Sequence, residues 1–501
     1  MGMKFHLSAT IKLSKPASKE VISKEIENFN AQLTEKQVDA RIEKWDVSEN
    51  NLNIEIISGT KRRAHDILLN FRNILSKNLG KKYKIGVRKI DVSLYEVTFS
   101  LEKEPLQPVT IPFADLEIDG KNVRMILKDT SEEFLRKNYV DRMIKRVIEK
   151  VENQYYEGKK EFWKLIWKSE EKEPVWNKDP TEEMLKRGWL VQGPTKGKWF
   201  YRPQAAAIFR AMERIAIEEI LKPLGFQEVI ESHIVPFEIW LRTGHLEGMP
   251  GEIYYVCEPK TRDVKEWERF IDLVKITREV PEEELKKTVS VPRAGICYAQ
   301  CPVIYWSLRG RTIADESLPL LIFDRTAISG RYESGGRHGI ERVDEFHRIE
   351  PVYIGKPEQL IELRKKLIER YKHVFNDIFE IEWRMAWVTP WYLQQAGKTD
   401  VGEHYGEGVI GTIDFEAWLP YRGDRKNSKW LEFQNLSILG DKYVKAFNIK
   451  AQKGELWSGC TGIGLERWMA VFLAQKGLDP ENWPEGFRKY LDKLPEGIKI
   501  L

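Results

Sequence analysis

Cysteine is scarce in this sequence, which has four in 501 residues: Cys257, Cys297, Cys301 and Cys460. So few cysteines in so long a chain exclude the disulfide framework that stabilises small secreted domains. Long apolar runs are also missing, and no stretch approaches the length that spans a membrane. Both absences favour a reducing compartment, so we expect a cytoplasmic protein with no membrane partner.

The sequence has little net charge, since 81 basic and 77 acidic residues leave a formal charge of +4. A surface that is basic throughout is therefore excluded, and any contact with nucleic acid has to be local. Residues 61–89 contain ten Lys or Arg and the single acid Asp66. This stretch is the candidate nucleic-acid surface, and an ordinary solvated helix face is the alternative.

The hydrophobic pattern changes near residue 170. Over 1–168, alternating strand-like segments are separated by helical ones, and "EEFLRKNYVDRMIKRVIEKV" is typical of one long helix. This pattern predicts an α+β domain with a largely antiparallel sheet. The polar, Pro-bearing and Trp-bearing residues 169–198 predict a linker, and 199–501 a second domain with a helical insertion near 259–290.

A charged, glycine-rich block lies at 324–350, "DRTAISGRYESGGRHGIERVDEFHRIE". An arginine on a strand, such as Arg331, can bridge a phosphate and a carboxylate with its guanidinium fork. A flexible loop follows Glu333, and an aromatic residue on the returning strand, Phe346, can stack on a base. Taken alone, Arg-x-Glu is more often part of an ordinary charged hairpin.

A second glycine-rich block, "GELWSGCTGIGLERWMAVFLAQKG", ends in an apolar helix. Gly462 and Gly464 alternate with apolar residues, so one face of a strand could approach a flat ligand closely. Arg467 then follows at the junction of strand and helix, where it could reach a phosphate. The alternative is a glycine-rich turn before a core helix. Neither common phosphate-loop fingerprint is present.

Taken in order, Pro236, the 331–350 block and the 462–467 block resemble the three signature motifs of class II aminoacyl-tRNA synthetases. The resemblance covers about residues 200–480. It implies an antiparallel sheet flanked by helices, a homodimer, and activation of an amino acid by ATP with Mg²⁺. "IDFEAWLP" and "WLEFQNLSILGDKYVKAFNIK" are further similar to seryl-tRNA synthetases.

The resemblance also implies roles for individual residues. The implied ATP-binding residues are Arg331, Glu333, Arg342, Phe346, Glu432, Asn435, Gly464 and Arg467. Arg331, Glu333 and Arg467 would be catalytic. Arg331 would bind both the serine carboxylate and the α-phosphate, while Asn435 and Ser437 would face the serine. The Trp-rich segment 386–400 is a candidate cover over the substrate.

Two departures from ordinary seryl enzymes narrow the resemblance. The N-terminal part shows no sustained heptads of a coiled-coil arm. In the second domain, cysteines lie at positions where they could bind zinc. Both features are similar to the rare seryl-tRNA synthetases of methanogenic archaea. That type implies one Zn²⁺ in the active site, held by Cys301, Glu350 and Cys460. Cys297 is a rival ligand if its segment is helical, and Cys257 is expected in the core.

The expected function is therefore a serine–tRNA ligase that acts on tRNA(Ser) and also on tRNA(Sec). A threonine–tRNA ligase-like enzyme is one alternative, because "AQCP" resembles the zinc-binding segment of that family. A non-catalytic RNA-binding paralogue is the other. The first 168 residues would bind tRNA in either kind of synthetase.

Overall fold

The computed structural model describes residues 2–155, 163–326, 328–388 and 410–498. It divides into two compact units, Met1–Lys160 and Glu161–Leu501. In the part of the chain that the structure describes, no helix is both long and apolar enough to cross a bilayer.

The first unit is built on a six-stranded antiparallel sheet with the order β2-β3-β1-β4-β6-β5. Its strands are β1 (Lys4–Leu13), β2 (Ala40–Ser48), β3 (Asn51–Ser58), β4 (Val87–Ser100), β5 (Ala114–Asp119) and β6 (Asn122–Leu127). In β1, Phe5, Leu7 and Ile11 are fully buried. The alternation therefore places one face of the sheet on the core.

The described part of this unit, residues 2–155, contains four helices: α1 (Lys19–Glu35), α2 (Ala64–Tyr83), α3 (Glu132–Arg136) and α4 (Tyr139–Tyr155). Ser18 begins α1 by accepting a hydrogen bond from the Val21 N–H. The single long helix expected from residue 132 is instead two helices. Asn138 between them has φ of +55°, a left-handed conformation that interrupts an α-helix.

The second unit contains a ten-stranded sheet with the main order β10-β15-β17-β22-β20-β19-β18-β7. Its strands are β7 (Trp163–Lys168), β10 (Gln227–Glu228), β15 (Leu320–Asp324), β16 (Ile328–Gly330), β17 (Glu345–Gly355), β18 (Trp383–Val388), β19 (Gly411–Ala417), β20 (Leu431–Gly440), β22 (Trp457–Cys460) and β23 (Ile463–Gly464). The ladders are antiparallel except between β10 and β15. The expected antiparallel sheet flanked by helices is confirmed.

Shorter strands form small sheets around this one: β8 (Leu190–Gln192), β9 (Trp199–Tyr201), β11 (Ile234–Pro236), β12 (Tyr255–Val256), β13 (Ala294–Ile296), β14 (Thr312–Ile313) and β21 (Lys450–Ala451). Among the described residues of this unit, the helices are α5 (Pro180–Lys186), α6 (Pro203–Ile215), α7 (Phe237–Thr243), α8 (His245–Gly248), α9 (Val264–Thr277), α10 (Glu282–Thr288), α11 (Cys301–Ser307), α12 (Pro357–His373), α13 (Lys442–Ala446), α14 (Leu465–Lys476) and α15 (Glu485–Arg488). The largest core includes buried side chains of α6, α12 and α14. Helices α9 and α10 occupy the expected insertion, and none of their side chains is buried.

The predicted boundary at residue 168 and the predicted linker at 169–198 are wrong. Strand β7 pairs with β18, so residues 163–168 are part of the second unit's sheet. Met184 and Leu190 are buried in the core of that unit, and Trp176 Nε1 donates to the Leu473 carbonyl. Because most of this segment is polar, its few apolar side chains gave no pattern that indicated a place in the core.

Glu382 connects the segment after β7 to the sheet. Its side chain is fully buried, and its two carboxylate oxygens each lie 3.0 Å from Arg425 Nε. The Lys172 N–H donates to the same carboxylate, and Arg425 Nη2 donates to the Lys172 carbonyl. Because the buried Glu382 carboxylate bonds to both Arg425 and Lys172, it couples three distant segments.

We expect Arg425→Met to lower the free energy of unfolding of the second unit by about 3 kcal/mol, because it removes the guanidinium bonded to the buried Glu382 and leaves only Lys168, whose Nζ lies 3.7 Å from Glu382 Oε1. Differential scanning calorimetry at pH 8 measures the change. Lys286→Ala, which removes the exposed partner of Glu283, is the control and should leave the melting temperature nearly unchanged. Equal melting temperatures for the two variants would contradict this assignment.

Candidate active site

Three charged residues of the 324–350 block form a chain of ion pairs. Arg331 follows β16 directly, and its Nη2 lies 2.6 Å from Glu252 Oε2. Arg331 Nε lies 3.3 Å from Glu333 Oε1, and Arg342 Nε lies 2.6 Å from Glu333 Oε2. Glu333 is nearly buried, whereas Arg342 is half exposed. The structure therefore brings these three predicted residues together and adds Glu252, which the sequence did not single out.

Asp344 organises the loop that carries them. Its carboxylate accepts two hydrogen bonds from Arg337, at 2.8 and 2.6 Å, and one each from the Tyr254 hydroxyl and the Glu333 N–H. Its carbonyl accepts the Arg331 N–H. Burial would raise the pKa of Asp344, but these bonds, most of all the two from the Arg337 guanidinium, hold it below its usual value. The sequence did not indicate this residue.

Phe346 lies on β17, opposite Ser329 of β16. It is partly buried and packs against the core that also contains Cys301 and Cys460. Its neighbour His347 points to the helix that follows the glycine block. The Glu466 carboxylate accepts the His347 N–H at 2.9 Å and lies 2.8 Å from its Nδ1. This double contact joins β17 to the start of α14.

The glycines at 459–464 have different neighbours. A Cβ on Gly459 would collide with the Tyr353 ring, and one on Gly462 would collide with the Arg348 guanidinium. Around Gly464, by contrast, no described atom lies within 4 Å of the place of a Cβ. Two of the glycines therefore allow close packing inside the protein, and Gly464 is the one that borders open space.

Arg467 in the first turn of α14 is held at two points. Its Nη1 donates to the Glu432 carbonyl at 2.8 Å and lies 3.1 Å from Glu432 Oε2. Its Nε donates to the Glu341 carbonyl at 3.2 Å. The structure thus unites Arg467 with Glu432 and with the turn before Arg342.

Acidic groups cluster beside Arg467 on β19 and β20. In the sheet register Asp414 lies opposite Asn435, and Glu416 lies opposite Glu432. Burial, with the charges of Glu432 and Glu416, raises the pKa of Asp414 well above its ordinary value. Such a raised pKa means that the cluster would gain from a bound cation.

Asn435 and Ser437 lie on the same face of β20 because they are two residues apart. The Asn435 side-chain oxygen accepts the Gly462 N–H at 3.0 Å. Ser437 is buried, lies opposite Cys460 in the register, and has its hydroxyl 2.7 Å from the Thr412 hydroxyl. Asn435 therefore positions the glycine block.

Cys301, Glu350 and Cys460 converge although they come from three elements. Cys301 begins α11, Glu350 lies in the middle of β17, and Cys460 ends β22. One ligand atom from each can be chosen so that all three lie within 4.8 Å of one another. All three side chains are buried. Two sulfurs and a carboxylate oxygen form a donor set that suits Zn²⁺.

The surroundings of Glu350 fit a carboxylate that binds a metal ion. Arg348 Nε donates to Glu350 Oε2, while Oε1 is buried with no hydrogen-bond partner among the described residues. Burial raises the pKa of Glu350, and the Arg348 guanidinium opposes that shift. A hydrogen bond with Cys301 and burial raise the pKa of the Cys460 thiol. A buried oxygen of this kind normally has a partner, and a metal ion would supply one.

The other two cysteines lie outside this cluster. Cys297 follows β13 in a non-helical segment, and its Sγ donates to the Ala299 carbonyl. Burial raises its pKa to about 12, which keeps it a thiol. Cys257 is exposed, so the prediction that it lies in the core is wrong. It directly follows β12, a short strand at the edge of a small sheet.

The candidate cover at 386–400 lies outside the described residues from 389 onward. The basic stretch of the first unit is described throughout. Most of its cations are exposed, including Arg62, Lys81, Lys82 and Lys84. Arg63 instead donates to Asp141 at 2.6 Å, so it stabilises the fold of the unit.

Comparison with known proteins agrees with both units. Residues 3–149 match a family described as a tRNA-binding domain, and residues 298–476 match the tRNA synthetase class II core domain (G, H, P, S and T). The chain is 45% identical to the type-2 serine–tRNA ligase of Methanococcoides burtonii and 44% identical to that of Methanothrix thermoacetophila. Each alignment covers 100% of both proteins.

One solved structure is similar over the whole chain: A. aeolicus tRNASec in complex with M. kandleri SerRS. The match has a TM-score of 0.82 at 30% identity and covers 100% of this chain and 99% of that chain. Serine, and not threonine, is the amino acid in the names of these relatives. The chain therefore belongs to the type-2 serine–tRNA ligases, class II aminoacyl-tRNA synthetases that join serine to tRNA.

Proposed function

We propose that the chain activates serine with ATP at the site between the 331–350 and 460–467 segments, and then transfers it to tRNA(Ser). The observation that carries the proposal is the convergence of Cys301, Glu350 and Cys460 beside β17 and β20, the strands that carry the ATP-site candidates Phe346 and Asn435. Class II membership implies ATP and Mg²⁺. The complex of M. kandleri SerRS with tRNASec leads us to extend the proposal to tRNA(Sec).

Activation requires positive charge where negative charge grows. The serine carboxylate attacks the α-phosphorus, and charge develops on that phosphate and on the leaving pyrophosphate. Arg331 would contact the carboxylate and the α-phosphate, exchanging its present partners Glu252 and Glu333 for substrate. Arg342 and Arg467 would hold the γ-phosphate end. Glu333 and Glu432 already orient Arg342 and Arg467, so these two guanidiniums need little reorganisation.

The remaining candidates would bind the rest of ATP. Phe346 would stack on the adenine, Glu333 would hold the adenine edge, and the open side of Gly464 would admit the nucleotide. Glu432, with the acidic groups on β19, would hold Mg²⁺ together with the phosphates.

Zinc would be held by Cys301, Glu350 and Cys460, and it would supply a Lewis acid for the serine amino group. The partnerless Glu350 Oε1 supports this assignment. Asn435 would approach the serine hydroxyl with its amide nitrogen, because its oxygen accepts the Gly462 N–H. Hydrogen bonding of that hydroxyl is what rejects alanine, and the size of the pocket is what rejects threonine.

A homodimer is the proposed assembly. Pro236 ends β11, whose sheet with β12 and β13 carries several exposed apolar side chains. Ile234 is 51% exposed, Leu241 67% and Tyr255 47%. Exposed apolar groups on neighbouring elements are typical of a protein interface. Sedimentation velocity of the full chain measures the assembly directly.

We expect Arg331→Ala to lower serine-dependent ATP–pyrophosphate exchange by at least about 100-fold, since a preorganised donor is worth roughly 3 kcal/mol or more. The melting temperature should change little, because Arg331 is partly exposed. Arg269→Ala, which removes an exposed arginine of the insertion, is the matched control and should keep normal exchange. Near-normal exchange in a folded Arg331→Ala variant would contradict the assignment.

We expect the purified chain to contain about one zinc, measured by plasma mass spectrometry. Cys301→Ser, Cys460→Ser and Glu350→Ala should each lose the metal and serine activation together. Cys297→Ser and Cys257→Ser are matched controls that should keep both. Co²⁺ substitution gives a second readout, because thiolate-to-metal charge-transfer bands should appear in the wild type and vanish in the Cys301/Cys460 double variant. Metal retained by that double variant would refute the site.

We expect joint replacement of Arg62, Lys81, Lys82 and Lys84 by Gln to weaken tRNA binding. The slope of the log of the binding constant against the log of the salt concentration should also become shallower, by about 0.7 to 0.9 for each phosphate contact that is lost. Arg63 is left intact because it pairs with Asp141. Exchange of ATP and pyrophosphate without tRNA is the internal control and should be unchanged. An unaltered salt slope would mean that this stretch is only a solvated face.

A further inference from the structure

Glu341 lies in a tight turn of the block that carries the ATP-site arginines. The turn is closed by two backbone hydrogen bonds of 3.0 Å between His338 and Arg342. Although the residue is in a turn, its side chain is only 2% exposed. The function described so far does not use this carboxyl.

The charged groups around Glu341 come from four segments. Arg422 Nη2 donates to Glu341 Oε2, and His338 Nδ1 lies 3.4 Å from the same oxygen. Asp179 and Arg467 also act on the carboxyl electrostatically. Arg422 ends the 3₁₀ turn Pro420–Arg422, which follows β19. The carboxyl therefore links the turn at 338–342 to the strand that carries the acidic cluster.

The same turn presents two groups to the ATP site. The Glu341 carbonyl accepts Arg467 Nε at 3.2 Å, and the next residue, Arg342, reaches Glu333 with its Nε at 2.6 Å. If the turn moved, the Glu341 carbonyl that holds Arg467 and the backbone of Arg342 would move together.

We propose that Glu341 is a positioning residue for ATP: its ion pair with Arg422 places the 338–342 turn, and through it Arg342 and Arg467. The inference rests on the proposed function, in which these two arginines hold the γ-phosphate end. Glu341 itself touches no substrate. Its effect on catalysis runs through the placement of the two guanidiniums.

The burial of Glu341 makes this contact sensitive to pH. Burial raises its pKa from 4.5 to about 7, against the opposing attraction of Arg422. Below pH 7 the carboxyl takes up a proton and loses the charge that attracts Arg422. Protonation weakens the contact with Arg422 but favours the folded state, because the folded chain binds this proton more tightly than the unfolded chain. The contribution of Glu341 to stability therefore falls as the pH rises from 4.5 to 7.

Glu341→Gln is the decisive variant because it keeps the shape and removes the charge. At pH 8 we expect the KM for ATP in pyrophosphate exchange to rise about 10-fold to 100-fold, as for a displaced catalytic group. The KM for serine should stay within about twofold. The melting temperature at pH 8 should be unchanged or higher, and the fall in kcat/KM for ATP below pH 7 should be lost.

Substitutions of Arg422 test the partner. Arg422→Met should reproduce the KM effect of Glu341→Gln, and Arg422→Lys should restore part of the ATP affinity because it keeps the charge. Glu382→Gln is the matched control, a buried glutamate paired with arginine in the same unit. It should leave both KM values unchanged.

Each other result contradicts a stated part of the proposal. If Arg467→Ala exchanges normally, the role of Arg467 in the proposed function is wrong. If Arg467→Ala is impaired but Glu341→Gln has the wild-type KM for ATP, the positioning role is wrong and the proposed function stands. Equal losses for ATP and serine, with a lower melting temperature, would make Glu341 merely structural. Loss of the acidic limb in His338→Gln but not in Glu341→Gln would assign the proton to His338.

Discussion

Strand β17 is the constraint on which the proposed active site depends. It pairs with β15, β16, β22 and β23, so its register sets the relative place of four other strands. Because side chains alternate along a strand, Phe346, Arg348 and Glu350 share one face. A slip of one residue would move all three to the opposite face, away from the cysteines and the glycine block.

The site is built from buried charges whose cost is offset by close partners. Glu350 bonds to Arg348, Glu466 to His347, and Glu333 to two arginines. An isolated charge at such positions would be strongly unfavourable, and each partner reduces that cost. The result is a set of dipoles and charges that are oriented before substrate arrives. This is the form of stabilisation that phosphoryl chemistry needs most.

Much of the architecture followed from local patterns. Strict alternation predicted the antiparallel sheet of the first unit, and the resemblance of the glycine-and-arginine blocks to known motifs implied the class II core. Errors came where local and tertiary preferences disagree. The polar segment 169–198 is packed into the core by a few apolar side chains such as Met184. The helical pattern from residue 132 is interrupted at Asn138, and Cys257, although in an apolar context, is at an exposed edge.

By itself, the sequence determined which residue types are candidates for the chemistry, because motifs such as Arg331-x-Glu333 and Gly462-x-Gly464 are local and depend on neighbours along the chain. Only the tertiary structure decided which distant residues meet. Cys301 and Cys460 belong to a helix and a strand far apart in sequence, and Glu350 meets them because β17 lies beside β22 in the sheet. The partner residues Glu252, Asp344 and Arg422 likewise could not be identified from the sequence. An ion pair between distant segments leaves no periodic or spacing signal, and is set by the packing that brings those segments together.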